Sequence, residues 1–238
     1  MNKYLVYTSA GDQSNIAPWL AGSPNFDLYV SYYGNTPGTL ADVATYYQER
    51  KGGKFPNLYH EWVAYPERFS GYSAIMVMDD DIQIDTAGIN RVFALREKYN
   101  LWCCQPAFNS QGHVSHDITR GDSRNILRYT NFVEVTCPVF RTDVLTSFMR
   151  VYDPVLVGWG VDWWFLHHMQ QLTNDLEGKV AVIDEITCAN PPNRPNGGRE
   201  IDALQSTQDR FSTWQKIRQQ KGININERHF VEFSRLRY

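Results

Sequence analysis

The chain has 238 residues, with 23 Lys and Arg against 26 Asp and Glu, a formal net charge of −3 and a pI of about 6.1. This near balance offers no bulk electrostatic reason to expect nucleic acid or an anionic membrane surface as a partner. A hydrophobic fraction of 42% over this length is enough for one substantial core.

Residues 1–238 therefore read as a single domain. Cys103, Cys104, Cys137 and Cys188 lack the paired spacing of a zinc site and read as reduced, buried thiols. The opening stretch "MNKYLVYTSAGDQ" enters a strand-like run at once, and no apolar segment is long enough to cross a bilayer, so a cytoplasmic protein is expected. Aromatic residues make up 14% of the chain, and several stand beside charged or glycine-rich segments, where rings line clefts for polar ligands as readily as they fill cores.

In chain order, "KYLVYT" (3–8) and "FDLYVSYY" (26–33) predict strands, and "TLADVATYYQER" (39–50) predicts a helix. "AIMVM" (74–78) predicts a buried strand. Asp85 is a plausible N-cap for "TAGINRVFALREKY", in which Ile89, Val92, Phe93 and Arg96 recur at helical spacing. "LWCCQ" (101–105), "FVEVTCPVF" (132–140) and "KVAVID" (179–184) predict further strands. A helix after Trp163 places Phe165, Met169, Leu172 and Leu176 on one face and stops at Gly178. "CANPPNRPNGGRE" (188–200) reads as a long loop, and a polar helical tail runs over roughly 200–221. Alternating strands and helices predict an α/β fold with a mostly parallel central sheet flanked by helices.

The run "YSAIMVMDDDIQID" raises a physical question. An apolar strand leads into Asp79, Asp80 and Asp81, three carboxylates whose mutual repulsion calls for a positive charge. Extended geometry would send Asp79 and Asp81 to one side and Asp80 to the other, so the first pair could converge on Mg²⁺ or Mn²⁺, completed by a nucleotide diphosphate. A solvated turn capping the next helix is the competing explanation.

In "VLVGWGVDWWF" (155–165), Gly158 and Gly160 permit close backbone approach, and Trp159, Trp163 and Trp164 offer flat faces to a sugar ring. Asp162 among these rings would be desolvated toward the pKa of a general base; ordinary core packing and helix capping account for the same residues. Glu134 inside an apolar run needs a partner and is read as a cleft residue, with an internal salt bridge as the alternative. His116, Asp117 and Arg120, with Arg124 and Arg128, form a polar cluster that could engage diphosphate or sugar, or simply face solvent. Arg194 and Arg199 could close over a leaving diphosphate, whereas His167 and His168 are read as packing.

An apolar strand ending in an aspartate motif, then a glycine-tryptophan-glycine segment and an acid, resembles the GT-A class of nucleotide-sugar glycosyltransferases. The landmarks "FDLYVSYYG", "KFPNLY", "YSAIMVMDDDIQID", "CQPAF", "SHDITR", "NFVEVTCPVF" and "GWGVDWWF", in this order over most of residues 1–190, are similar to an uncharacterised glycosyltransferase-like family of plants and bacteria. The resemblance implies a single GT-A-like, Rossmann-like α/β domain. It also implies a divalent cation, Mn²⁺ or Mg²⁺, at the donor diphosphate, and sugar transfer from a nucleotide sugar, a UDP-sugar above all, to a hydroxyl of a growing saccharide. Carried over by position, Asp79, Asp80 and Asp81 resemble donor and metal acids, and Asp162 resembles the acceptor-binding base. Thr8, Ser9 and Ala10 resemble the place where base and ribose dock. Trp159, Gly160, Trp163, His116 and Asp117 would meet the sugars. Asn190 stands where the family pattern has a metal-binding histidine, and an amide is the poorer ligand.

The implied location is cytoplasmic, including the periphery of an inner membrane. A catalytically inactive carbohydrate- or nucleotide-binding protein is the competing reading. A metal-dependent phosphodiesterase would need further His or Asp ligands at metal-binding spacing, which the sequence does not supply.

Overall fold

Strands form where apolar and β-branched residues run together, and the computed structural model describes them over residues 1–192 and 200–238. β1 (Tyr4–Ala10) passes through the short α1 (Ile16–Leu20) to β2 (Phe26–Tyr32) and β3 (Tyr46–Glu49). Then α2 (Lys54–Ala64) and α3 (Glu67–Ser70) lead to β4 (Ala74–Val77), α4 (Thr86–Lys98) and β5 (Cys103–Phe108). The chain continues through β6 (Asn125–Thr130), β7 (Val139–Arg141), α5 (Thr142–Met149), α6 (Val161–Thr173) and β8 (Val180–Cys188). It closes with α7 (Glu200–Leu204), α8 (Thr207–Gln220) and β9 (Glu232–Arg237).

Among the described residues these strands make one nine-stranded sheet in the order β3-β2-β1-β4-β7-β5-β8-β6-β9. Pairs β1–β2, β1–β4, β2–β3 and β5–β8 are parallel, while β7 and β6 run against both of their neighbours. The expected mostly parallel direction therefore holds, with two reversed strands. Side-chain alternation splits the core in two: Leu5, Tyr7, Ile75 and Val77 pack on one face with α2, α5 and α6, and Val6, Met76 and Met78 pack on the other with α4. All four cysteines are buried free thiols. Among the described residues no helix is long and apolar enough to cross a membrane.

Three expectations need correction. Residues 39–50 are turns followed by β3, not a helix: Leu40 sits at φ 71, and Tyr46 and Tyr47 pair with Tyr29 and Val30 at the sheet edge. Residues 132–138 are not strand, because Pro138 has no N–H to donate and the Glu134 N–H turns to Gln105 Oε1 at 2.5 Å; only Val139–Arg141 joins the sheet. The helix at Trp163 ends at Thr173, capped by Asn174 at φ 62, and Leu172 is exposed. The helical tail expected over roughly 200–221 is met by α7 and α8, and the unpredicted addition is β9, beyond that range, which pairs with the equally unpredicted β6.

Candidate functional site

The carboxyl ends of β1, β2, β4, β5 and β8 share one edge of the sheet, where ligands bind in open α/β folds. Thr8, Ser9 and Ala10 end β1 there and are buried. Asn57 on α2 donates from Nδ2 to Ser9 Oγ at 3.1 Å and also to the Arg50 and Gly52 carbonyls, so the loop before α2 is tied to the end of β1. The Gly11 N–H donates to Asp80 Oδ2 at 2.8 Å, and a Cβ on Gly11 would come within 2.6 Å of the Tyr33 ring.

The aspartates follow β4. Alternation carries Asp79 toward the face of Ile75 and Val77, where Lys54 Nζ meets its Oδ1 at 2.7 Å. There the extended geometry stops: the Ile82 N–H bonds the Asp79 carbonyl at 3.3 Å, so residues 80 and 81 form a turn. The alternation that would put Asp81 beside Asp79 is therefore not met. Burial pushes the Asp80 carboxyl up to about 6 against the Gly11 N–H, with the charges of Asp81 and Asp79 adding to the rise. Asp81 is exposed.

Asn190 is brought to this region by an antiparallel bridge between Ala189 and Gln83, and its carbonyl accepts from the His113 N–H at 2.7 Å. Asp79 is engaged by an ammonium, Asp80 faces a backbone amide, and among the described residues no group of three His, Cys, Asp or Glu could hold a metal ion. This donor set does not by itself fit a divalent cation.

A second pair of acids lies close by. Glu134 is buried, and Oε1 accepts from Thr119 Oγ1 at 2.8 Å. Burial drives its carboxyl up to about 7, opposed by the Thr119 hydroxyl and helped by the charges of Asp162 and Asp79. Asp162 lies in the first turn of α6, whose N-cap is Gly160 at φ 96. Burial raises Asp162 to about 7 as well, against the backbone N–H groups of Trp163, of Asp162 itself and of Val135. Glu134 thus feels the charge of Asp162, and both carboxyls are raised into the range suited to proton exchange near neutral pH.

Beside them, the His116 ring lies 4.7 Å from Phe132 and 5.1 Å from Phe230, and Trp163 lies 4.5 Å from Phe132 and 5.6 Å from Phe230. Burial lowers the His116 pKa. Trp163 is only 5% exposed, packed between Phe132 and Phe230, so its ring is not open as the predicted sugar platform.

The remaining predicted residues are more scattered. Trp159 is 50% exposed, its ring edge-on to Phe211 at 6.5 Å, and a Cβ on Gly160 would strike the Trp214 ring. Asp117 and Arg120 pair with each other at 3.2 Å on the surface. Arg128 is not available to a diphosphate: it is buried and forks onto Asp184 at 2.8 and 2.9 Å. Arg194 and Arg199 lie outside the described residues. A groove of about 790 Å³ between α1, α4 and β8, lined by Asn15, Gln83, Gly88, Arg91 and Glu185 among others, includes none of the predicted site residues.

Lys54, Asn57 and Phe230 were not predicted. For the first two the signal was present, since "KFPNLY" was a quoted landmark whose Lys and Asn stand three apart on one helical face. Phe230 carries no local signal.

No family model matches the chain, and no curated protein does. Among solved structures, GalNAc-T7 with UDP, GalNAc and Mn²⁺ aligns at a TM-score of 0.63 and 11% identity, covering 92% of this chain and 48% of that one. S. aureus TarS 1-349 in complex with UDP-GlcNAc aligns at a TM-score of 0.61 and 14% identity, covering 94% and 68%. The fold is the GT-A glycosyltransferase fold. At these identities the likeness carries the fold alone, and the chain spans about half the length of the GalNAc-T7 chain, 48%.

Proposed function

We propose that the protein transfers a sugar from a nucleotide sugar, a UDP-sugar first among candidates, to a hydroxyl of a saccharide acceptor. The observation that supports this reading is that Asp162 and Glu134 are both buried carboxyls raised to about 7, and that Glu134 feels the charges of both Asp162 and Asp79. The donor's base and ribose would dock at Thr8, Ser9 and Ala10, with the diphosphate toward the turn at residues 79–81. Three carboxylates would repel that diphosphate, and Lys54 reduces the repulsion by neutralising Asp79.

Asp162, held by the Val135 and Trp163 N–H groups, takes the acceptor hydroxyl's proton as that oxygen bonds to the anomeric carbon of the sugar, while the bond from this carbon to the diphosphate breaks and the nucleoside diphosphate leaves. Glu134, its Oε1 fixed by Thr119, is placed to hold a hydroxyl of the donor or acceptor sugar. A second reading, binding without turnover, draws support from the burial of Trp163, which is packed against Phe132 and Phe230 and not open to a sugar.

Thermal-shift screening against UDP, GDP, CMP and their sugar conjugates tests the donor, because a ligand that binds only the folded state raises its melting temperature. A shift with one nucleotide, followed by sugar transfer or slow donor hydrolysis that Asp162→Asn abolishes, supports the transferase. Sugar binding with neither transfer nor hydrolysis would favour the binding protein.

A further inference from the structure

The positive charge that the aspartate triplet calls for is built into the chain. Lys54 is the first residue of α2, and Phe55 and Leu58 anchor that helix in the core. Its Nζ donates to the Val135 carbonyl at 2.7 Å, to Thr136 at 3.0 Å and to Val77 at 3.3 Å, and meets Asp79 Oδ1 at 2.7 Å. The side chain is 9% exposed, so this is not a surface lysine swung onto a nearby acid. Main-chain oxygens from β4 and from the 135–136 segment hold it in place, and those oxygens cannot leave without breaking local structure.

The same segment serves the second pair of acids: Glu134 precedes it, and the Val135 N–H bonds Asp162. One ammonium therefore ties the donor-side aspartate to the segment that positions Glu134 and Asp162. A divalent ion on Asp79 would sit against this fixed ammonium and be repelled by it.

We infer that Lys54 is the resident counter-charge of the Asp79–Asp81 turn, and that the site is assembled, and binds a nucleoside diphosphate, without a divalent ion. The clause on the nucleoside diphosphate rests on the proposed nucleotide-sugar reading; the assignment of Lys54 does not. Lys54 is a positioning residue, since its own donors are taken up by the protein.

The first arm of the test uses no nucleotide. Mn²⁺ is titrated into the full chain, and free Mn²⁺ is followed by electron paramagnetic resonance. Wild type should bind no tighter than about 1 mM, and Lys54→Met, which keeps the stem and removes the charge, should bind roughly 10-fold tighter because Asp79 loses its partner. Micromolar binding by wild type that disappears in Asp81→Asn would overturn the assignment, with no need for a folded Lys54→Met.

The second arm is calorimetry of UDP in Mn²⁺ and in EDTA. Affinities within about threefold of each other are expected, and binding seen only with Mn²⁺ would overturn metal independence. If UDP, GDP and CMP all fail to bind in both buffers, the nucleotide-sugar reading falls, and the Mn²⁺ titration still decides the role of Lys54.

Discussion

The N–H of Gly11 donates to Oδ2 of Asp80 across 2.8 Å, joining the end of β1 to the turn after β4. The Asn15 N–H reinforces the joint by bonding the Asp80 carbonyl at 2.6 Å. Asp80 thus holds the two loops together through backbone hydrogen bonds, and under the proposed function the donor would lie on them. Asp80→Ala leaves the Gly11 amide without its acceptor and should cost about 1–3 kcal/mol in denaturant unfolding, whereas Asp80→Asn, which keeps an oxygen there, should cost less than half of that. Equal losses in the two variants would show that charge, not the acceptor, matters.

Asp162 should dominate turnover. Asp162→Asn keeps the shape and loses the basic oxygen, so the transfer rate should fall by roughly 100-fold or more with donor affinity nearly unchanged. In wild type the rate should rise with pH through about 7, as Asp162 gives up its proton. A flat pH profile from 5 to 9, or an active Asp162→Asn, would remove it from the base role.

The same two carboxyls make a stability prediction of definite sign. Asp162 and Glu134 are raised to about 7 from ordinary values of 3.8 and 4.5, so between those limits the folded state binds more protons than the unfolded state. Their contribution is fully present below about 4 and is lost as pH rises through 7. Asp162→Asn removes that loss, so its stability relative to wild type should improve on going from pH 5 to pH 8, by roughly 2 kcal/mol. Urea melts of both proteins at the two pH values measure it, and a relative change of opposite sign would mean that the Asp162 carboxylate is stabilised in the fold.

Arg128 and Asp184 are both buried, and their fork is structural. Arg128→Met leaves Asp184 buried without its cation and should cost about 3–5 kcal/mol, most of which Arg128→Met/Asp184→Leu should restore. Unfolding free energies of the three proteins decide this. A single variant as stable as wild type would mean that Asp184 finds its compensation in the Asp122 N–H and Asn125 alone.

At Gly160 both backbone and space are restricted: φ is 96, and a Cβ would come within 2.3 Å of Trp214. Gly160→Ala should destabilise the protein by about 2 kcal/mol or more, and it should slow transfer beyond that by moving the start of α6, which carries Asp162. Unchanged thermal stability would show that α8 can retreat to make room.

Much of the scaffold was legible in one dimension. Apolar runs marked β1, β2, β4, β5 and β8, and the Asp85 cap of α4 followed from its sequence position, because these elements answer to local pattern and burial. Residues 39–50 misled because β3 exists only through pairing with β2, and β6 and β9 were missed because each is half of a pair whose members lie about a hundred residues apart.

At the site, composition and spacing singled out Asp79, Asp80 and Asp81 after an apolar strand, with Asp79 and Asp81 as the expected pair, and Glu134 and Asp162 as acids in apolar surroundings; the need for a positive charge followed from Coulomb's law alone. Which charge answers that need could not be read from the chain. Lys54 is 25 positions before Asp79 and meets it only because α2 packs on the face of the sheet toward which that aspartate points. Phe230 likewise reaches Trp163 only when the chain beyond α8 folds back. Residue chemistry is local and visible in sequence; the pairing of charges and rings depends on packing across the sheet, which only the tertiary structure decides.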